Sequence, residues 1–102
     1  MHTQVDLQNA LEQFLGSRNV YFQPPSNVHL KYPCIIYDWS KVKPEYANNY
    51  MYMHTKAYEV MIIDQKKNSE FPDKFLTAFP YVSFSRVYPA DGLWHFVYNL
   101  YY

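Results

Sequence analysis

Trp94-His95-Phe96-Val97-Tyr98-Asn99-Leu100-Tyr101-Tyr102 is the stretch that decides the fold. It follows Pro89-Ala90-Asp91-Gly92, which reads as a turn, and it carries the residue types of a strand. Side chains of a strand alternate between two faces. Trp94, Phe96, Tyr98 and Leu100 therefore share one side, and His95, Val97 and Tyr101 the other. The first side can fill a core. The second is also apolar and needs a cover of its own, and docking against another protein is the simplest cover.

Working back from this strand, Tyr81 to Tyr88 is the preceding one, and the two make a hairpin. Asn68 or Ser69 is expected to cap a short helix through Phe79, with Pro72 tolerated in its first turn. Phe71, Phe75, Leu76 and Phe79 are its expected buried stripe. His54 to Asp64 is a strand in which Tyr58, Val60 and Ile62 share a face. Its other positions form no clean polar face, which suits a central strand. Tyr32 to Trp39 is a further strand, with Pro33 near its start. Val20-Tyr21-Phe22 is a short extended piece halted by Pro24 and Pro25.

Thr3 to Leu15 reads as a helix. Leu7, Leu11, Phe14 and Leu15 form one apolar stripe. Thr3 with Asp6 resembles a capping box, and Gly16 supplies the stop. The resulting order lacks βαβ alternation. The expected fold class is α+β, with a mostly antiparallel sheet of about four main strands and two helices on one face. At 102 residues the chain is expected to form a single domain spanning 1–102.

Composition narrows function. The chain holds 12 Tyr, 7 Phe and 2 Trp, and a domain of this size buries only roughly 60–70% of its unfolded surface. Some of these rings are left for contact, a use to which tyrosine is suited by its rigid ring and satisfied hydroxyl. Nine basic and nine acidic side chains cancel, so no basic patch points to phosphate backbones. The single cysteine, Cys34, lies in an apolar run and reads as a buried, inert thiol. No signal peptide and no apolar run of membrane-spanning length is visible, which points to a soluble protein made in a cytoplasm.

Catalytic and cofactor signatures are not found. The histidines have no metal-binding spacing, and a set of His54, Asp64, Asp91 and His95 is outweighed by ordinary strand-end roles. Ser83 and Ser85 alternate along a strand and form no nucleophile elbow. Sheet aromatics could stack single-stranded nucleic acid, but that needs interleaved basic residues, and the strands offer little beyond Arg86 and Lys56. The expectation is therefore a non-enzyme without cofactor or metal.

Residues 40–53 make a connection too long for a hairpin loop. Its rings and methionines argue against plain disorder. Tyr46, Asn48, Asn49, Tyr50 and Tyr52 are expected to order against a neighbour, Asn48 and Asn49 aiming the loop outward. The sheet edge, with Tyr98, Tyr101 and Tyr102, supplies the other contact candidates.

Several strings carry a family resemblance. Val20-Tyr21-Phe22-Gln23-Pro24-Pro25, Leu30-Lys31-Tyr32-Pro33-Cys34-Ile35-Ile36-Tyr37 and Tyr58-Glu59-Val60-Met61-Ile62-Ile63-Asp64 are three of them. Ser69-Glu70-Phe71-Pro72-Asp73-Lys74, Ala90-Asp91-Gly92-Leu93-Trp94-His95 and Tyr98-Asn99-Leu100-Tyr101-Tyr102 complete the set. Together they resemble the tail-terminator, or tail-completion, proteins at the head–tail junction of long-tailed bacteriophages. The resemblance runs over roughly residues 20–102. It implies a virion subunit, assembled in the host cytoplasm, that forms a hexameric ring on the head-proximal end of the tail. The ring would cap the tail-tube protein and meet the head connector protein, with the genome passing through its lumen without sequence-specific contact. Another neck or connector ring is the nearest alternative, and a single-stranded nucleic-acid module a more distant one.

Overall fold

The computed structural model describes residues 3–40 and 57–102. Helix α1 (Gln4–Leu15) is followed by strands β1 (Val20–Phe22), β2 (Cys34–Trp39) and β3 (Ala57–Asp64). Helix α2 (Phe71–Ala78) and strands β4 (Val82–Ala90) and β5 (Leu93–Tyr101) complete the order. The strands form one sheet in the order β1-β2-β3-β5-β4. The fold class is α+β as expected, with five strands in place of about four.

β3 is central, hydrogen-bonded antiparallel to both β2 and β5. The short extended piece expected at Val20–Phe22 is β1, which joins the sheet edge and runs parallel to β2. A parallel pair needs a crossover of about a dozen residues. Residues 23–33 supply it as loop, without a crossover helix, and every other pairing is antiparallel, in keeping with the expected mostly antiparallel sheet. Within that loop the Tyr32–Pro33 peptide is cis, and β2 starts at Cys34.

Local chemistry sets the helix ends. The Thr3 hydroxyl accepts from the Asp6 amide, and the Asp6 carboxylate accepts from the Thr3 amide, closing a capping box. Gly16 takes the left-handed conformation at φ 81° and donates to the Glu12 carbonyl. α2 begins differently from the expected Asn68 or Ser69 cap. Glu70 stands at its N-cap without a side-chain cap bond, and Ser69 Oγ accepts from the Phe71 amide at 3.4 Å.

The hairpin turn is tighter than Pro89-Ala90-Asp91-Gly92 suggested. Pro89 and Ala90 belong to β4, and only Asp91 and Gly92 turn, with φ of 54° and 74°. Two successive positive φ values are those of a type I′ turn, whose twist matches that of a hairpin. Pro89 is admitted because β4 is an edge strand.

Both helices pack on one face. Leu7, Leu11 and Leu15 of α1, with Phe75 and Phe79, meet Ile35, Tyr37, Tyr58, Val60, Ile62, Phe96, Tyr98 and Leu100. The Phe14 ring joins the helices, lying 5.3 Å from Phe75 and 6.0 Å from Phe71 between centroids. Burial of each large side chain here contributes about 1.5–3 kcal/mol. Leu76 is a correction: it is 43% exposed, not part of the buried stripe. Phe71, Phe75 and Phe79 recur every fourth residue and so face inward together, while Leu76 is turned by about 100° from Phe75.

The other face of the sheet was expected to lack any internal cover. Its centre is nevertheless buried, with Cys34 and Val97 at 0% and Ile63 at 3% exposure. Part of the cover is lateral: the Tyr88 ring lies flat on His95, 4.8 Å away at 3°, and its hydroxyl reaches Met61 Sδ at 4.0 Å.

Candidate assembly surface

β4 is the long edge of the sheet, and among the described residues no strand pairs with its outer side. The Tyr101 amide donates to the Tyr81 carbonyl, so the odd-numbered residues of β5 are those bonded to β4. Ser83 faces Asn99, Arg86 faces Val97 and Tyr88 faces His95, and the register shifts at Ser85 between Phe84 and Arg86. The bulge moves the outward positions from even to odd numbers. The backbone groups of Val82, Phe84, Val87 and Pro89 therefore face away from the sheet.

The side chains at those four positions are apolar. Phe84 is 49% and Val87 45% exposed, and Tyr81 just before the strand is 51% exposed. Helix α2 packs on β4 and carries the exposed Leu76. The Phe84 ring also leans on the buried Tyr98 ring, 5.5 Å between centroids. The edge is thus held by the core beneath it.

The opposite edge is different. The Ile35 amide donates to the Asn19 carbonyl and the Gln23 amide to the Tyr37 carbonyl, so Val20 points away from β2. Its carbonyl is taken by Gln8 Nε2 at 2.9 Å. Gln8 is fixed by a network, since its Oε1 accepts from the Tyr37 hydroxyl at 2.5 Å and its Nε2 also reaches Glu12. Gln4 Nε2 in turn donates to that hydroxyl at 2.6 Å. Sequence reading passed over Gln4 and Gln8. Their spacing of four, beside the Leu7 and Leu11 stripe, was the available signal.

The expected contact residues divide. Tyr46, Asn48, Asn49, Tyr50 and Tyr52 lie outside the described residues. Tyr98 is corrected: at 1% exposure it is core, and its hydroxyl donates to the Pro72 carbonyl at 3.0 Å. Its alternation with Phe96 and Leu100 had already placed it on the core side. Tyr101 and Tyr102 are half-buried, Tyr102 with its ring 5.9 Å from that of Phe79. β5, to which Tyr98 and Tyr101 belong, is not an edge strand, so the edge candidates move to β4.

Among the described residues the titratable groups displaced from their ordinary values are Cys34, Tyr37, Tyr58 and Tyr98, all raised first by burial. Burial, and secondarily the charge of Asp64, pushes the Cys34 thiol up to about 12. Burial likewise raises Tyr98 to about 12, with Asp73 adding to it. Asp64 is buried and its carboxylate accepts from the Lys66 amide at 3.2 Å, closing the turn after β3. In the β3–β5 register Ile63, not Asp64, faces His95, so the two groups lie on opposite faces of the sheet. Among the described residues no three His, Cys, Asp or Glu side chains gather as metal ligands. No helix of the described residues is long and apolar enough to cross a membrane.

No family model, no curated protein and no solved structure matches the chain.

Proposed function

We propose that this chain is a structural, self-associating subunit whose work is done by binding, without catalysis. The observation that carries the reading is the nine-residue edge strand β4, apolar at its outward positions and half-exposed. Unpaired strand edges are templates for another chain, and soluble proteins ordinarily blunt them with charge or brevity. β4 is long and carries one charged residue, Arg86.

The resemblance to tail-terminator proteins gives this module its place in the proposal: a ring at the head-proximal end of a phage tail, capping the tail tube and meeting the head connector. A sheet covered by helices on one face suits such a subunit. Head-to-tail contacts close into a ring when their rotation allows.

The test is the mass of the purified protein by light scattering, alone and with the tail-tube protein, and the length of tails assembled without it. Rings that bind tube ends, and overlong tubes in their absence, are the expected results. A protein that stays monomeric with or without tube protein would sink the reading. Tight binding to short single strands that falls steeply with salt would replace it with a nucleic-acid module.

A further inference from the structure

We propose that the β4 edge pairs with the β4 edge of a second copy of this chain, antiparallel about a two-fold axis normal to the sheet. The inference rests on the self-associating reading above, but on the sheet edge and not on the ring.

The occupant follows from the strand's own pattern. In a strand without a bulge, outward positions recur every second residue. Here they are Val82, Phe84, Val87 and Pro89, because the extra residue at Ser85 widens the middle step. This set is symmetric about the midpoint between Ser85 and Arg86. Turned over and laid antiparallel on itself, it sets Phe84 opposite Val87 of the second copy and Val82 opposite Pro89. Shifting the strand by one residue either way pairs outward groups with inward ones. The bulge that would upset pairing with a regular strand meets an identical bulge.

Side chains agree with the register. A two-fold axis normal to the sheet keeps the helix-bearing faces of both copies on one side. Phe84 and Val87, each about half exposed in the single subunit, then cover one another in two equivalent pairs. The Arg86 guanidinium faces Ser85 of the second copy, not Arg86, and it is already drawn over the Tyr88 ring at 5.9 Å. Pro89 lacks an N–H, so its position facing Val82 forms half of a bonded pair. The other edge cannot take this role, because Gln8 already occupies the outward carbonyl of Val20.

A ring with one face to the tube and the other to the connector is polar, and a two-fold contact cannot lie within it. The pair is therefore the form of the free subunit, and it covers the edge before assembly.

The test combines sedimentation of the free protein with site-directed crosslinking. The wild type is expected to be a dimer in the high-micromolar range, and Val87→Lys a folded monomer by circular dichroism and sedimentation. Phe84→Cys mixed with Val87→Cys should give a covalent dimer under mild oxidation, while either variant alone gives far less. The native Cys34, at 0% exposure, does not compete. A wild type that is monomeric throughout, a Val87→Lys variant that remains dimeric, or crosslinking indifferent to the mixture overturns the proposal. Should Val87→Lys still form rings that bind tube ends while the wild type shows no dimer, the ring reading stands and this one fails.

Discussion

The Tyr98 hydroxyl donates to the carbonyl of Pro72, 3.0 Å away, and so ties the middle of β5 to the first turn of α2. The acceptor is a carbonyl that the helix also needs, and the donor ring is packed 4.9 Å from Phe75. Tyr98→Phe keeps the packing and loses the bond, and should cost about 1 kcal/mol. Tyr98→Ala should cost about 3–5 kcal/mol. Urea denaturation measures both. An Ala variant of near wild-type stability would return Tyr98 to the surface.

Tyr58 behaves in the opposite way. Its ring is 1% exposed and stacks on Trp39, 5.0 Å between centroids, yet its hydroxyl is buried without a hydrogen-bond partner among the described residues. Leaving such a group unsatisfied costs about 1–3 kcal/mol. Tyr58→Phe should therefore leave stability unchanged or raise it, in the same urea series that shows Tyr98→Phe falling. A loss equal to that of Tyr98→Phe would mean the hydroxyl has a partner in solution.

Alkaline pH should unfold the protein. Burial raises the Cys34 thiol from 9.0 and the Tyr98 phenol from 10.0, each to about 12, and raises Tyr37 and Tyr58 as well. A group that holds its proton more tightly when folded contributes stability that is complete below its unfolded pKa. That stability is lost as the pH rises through the folded value. The melting temperature should thus be flat up to about pH 9 and fall steeply towards pH 12. Cys34→Ala should make the onset later, since the thiol is the first of these groups to titrate in the unfolded chain. An onset unchanged in that variant would assign the loss to the phenols alone.

The hairpin depends on Gly92, whose φ of 74° no other residue takes without cost. Gly92→Ala should lose about 1–2 kcal/mol. Because β4 is attached to the rest of the sheet through β5, the same change should raise amide exchange along β4 more than along β2. Equal protection of both strands would place the loss elsewhere.

Much of this architecture was legible because it is local. The fourfold spacing of Leu7, Leu11 and Leu15, the Thr3–Asp6 box and Gly16 define α1 within one short stretch, and Asp91-Gly92 between two strand patterns defines the hairpin. What escaped is non-local. Val20–Phe22 reads as a short extended piece, but its parallel pairing with β2, a loop away, has no local signal. Leu76 and Phe75 are adjacent and equally apolar, and which one is buried depends on how α2 is rotated on the sheet. The bulge at Ser85 leaves no mark in the alternation of β4, yet it decides which residues face outward. Tyr98 shows the remaining difficulty, since a tyrosine suits a core and a contact equally well until its hydroxyl finds Pro72.

The glutamine at position 8 has a consequence for how far association can go. In polymer chemistry a monomer with two reactive ends propagates, and a monomer with one gives only a coupled product. The amide of Gln8 on the Val20 carbonyl occupies one side of the sheet and makes the subunit monofunctional there. On the proposed pairing, coupling through β4 uses up the remaining sheet edge, so growth of the sheet stops at two copies and does not extend into a fibre, and the contacts of a ring lie elsewhere on the subunit.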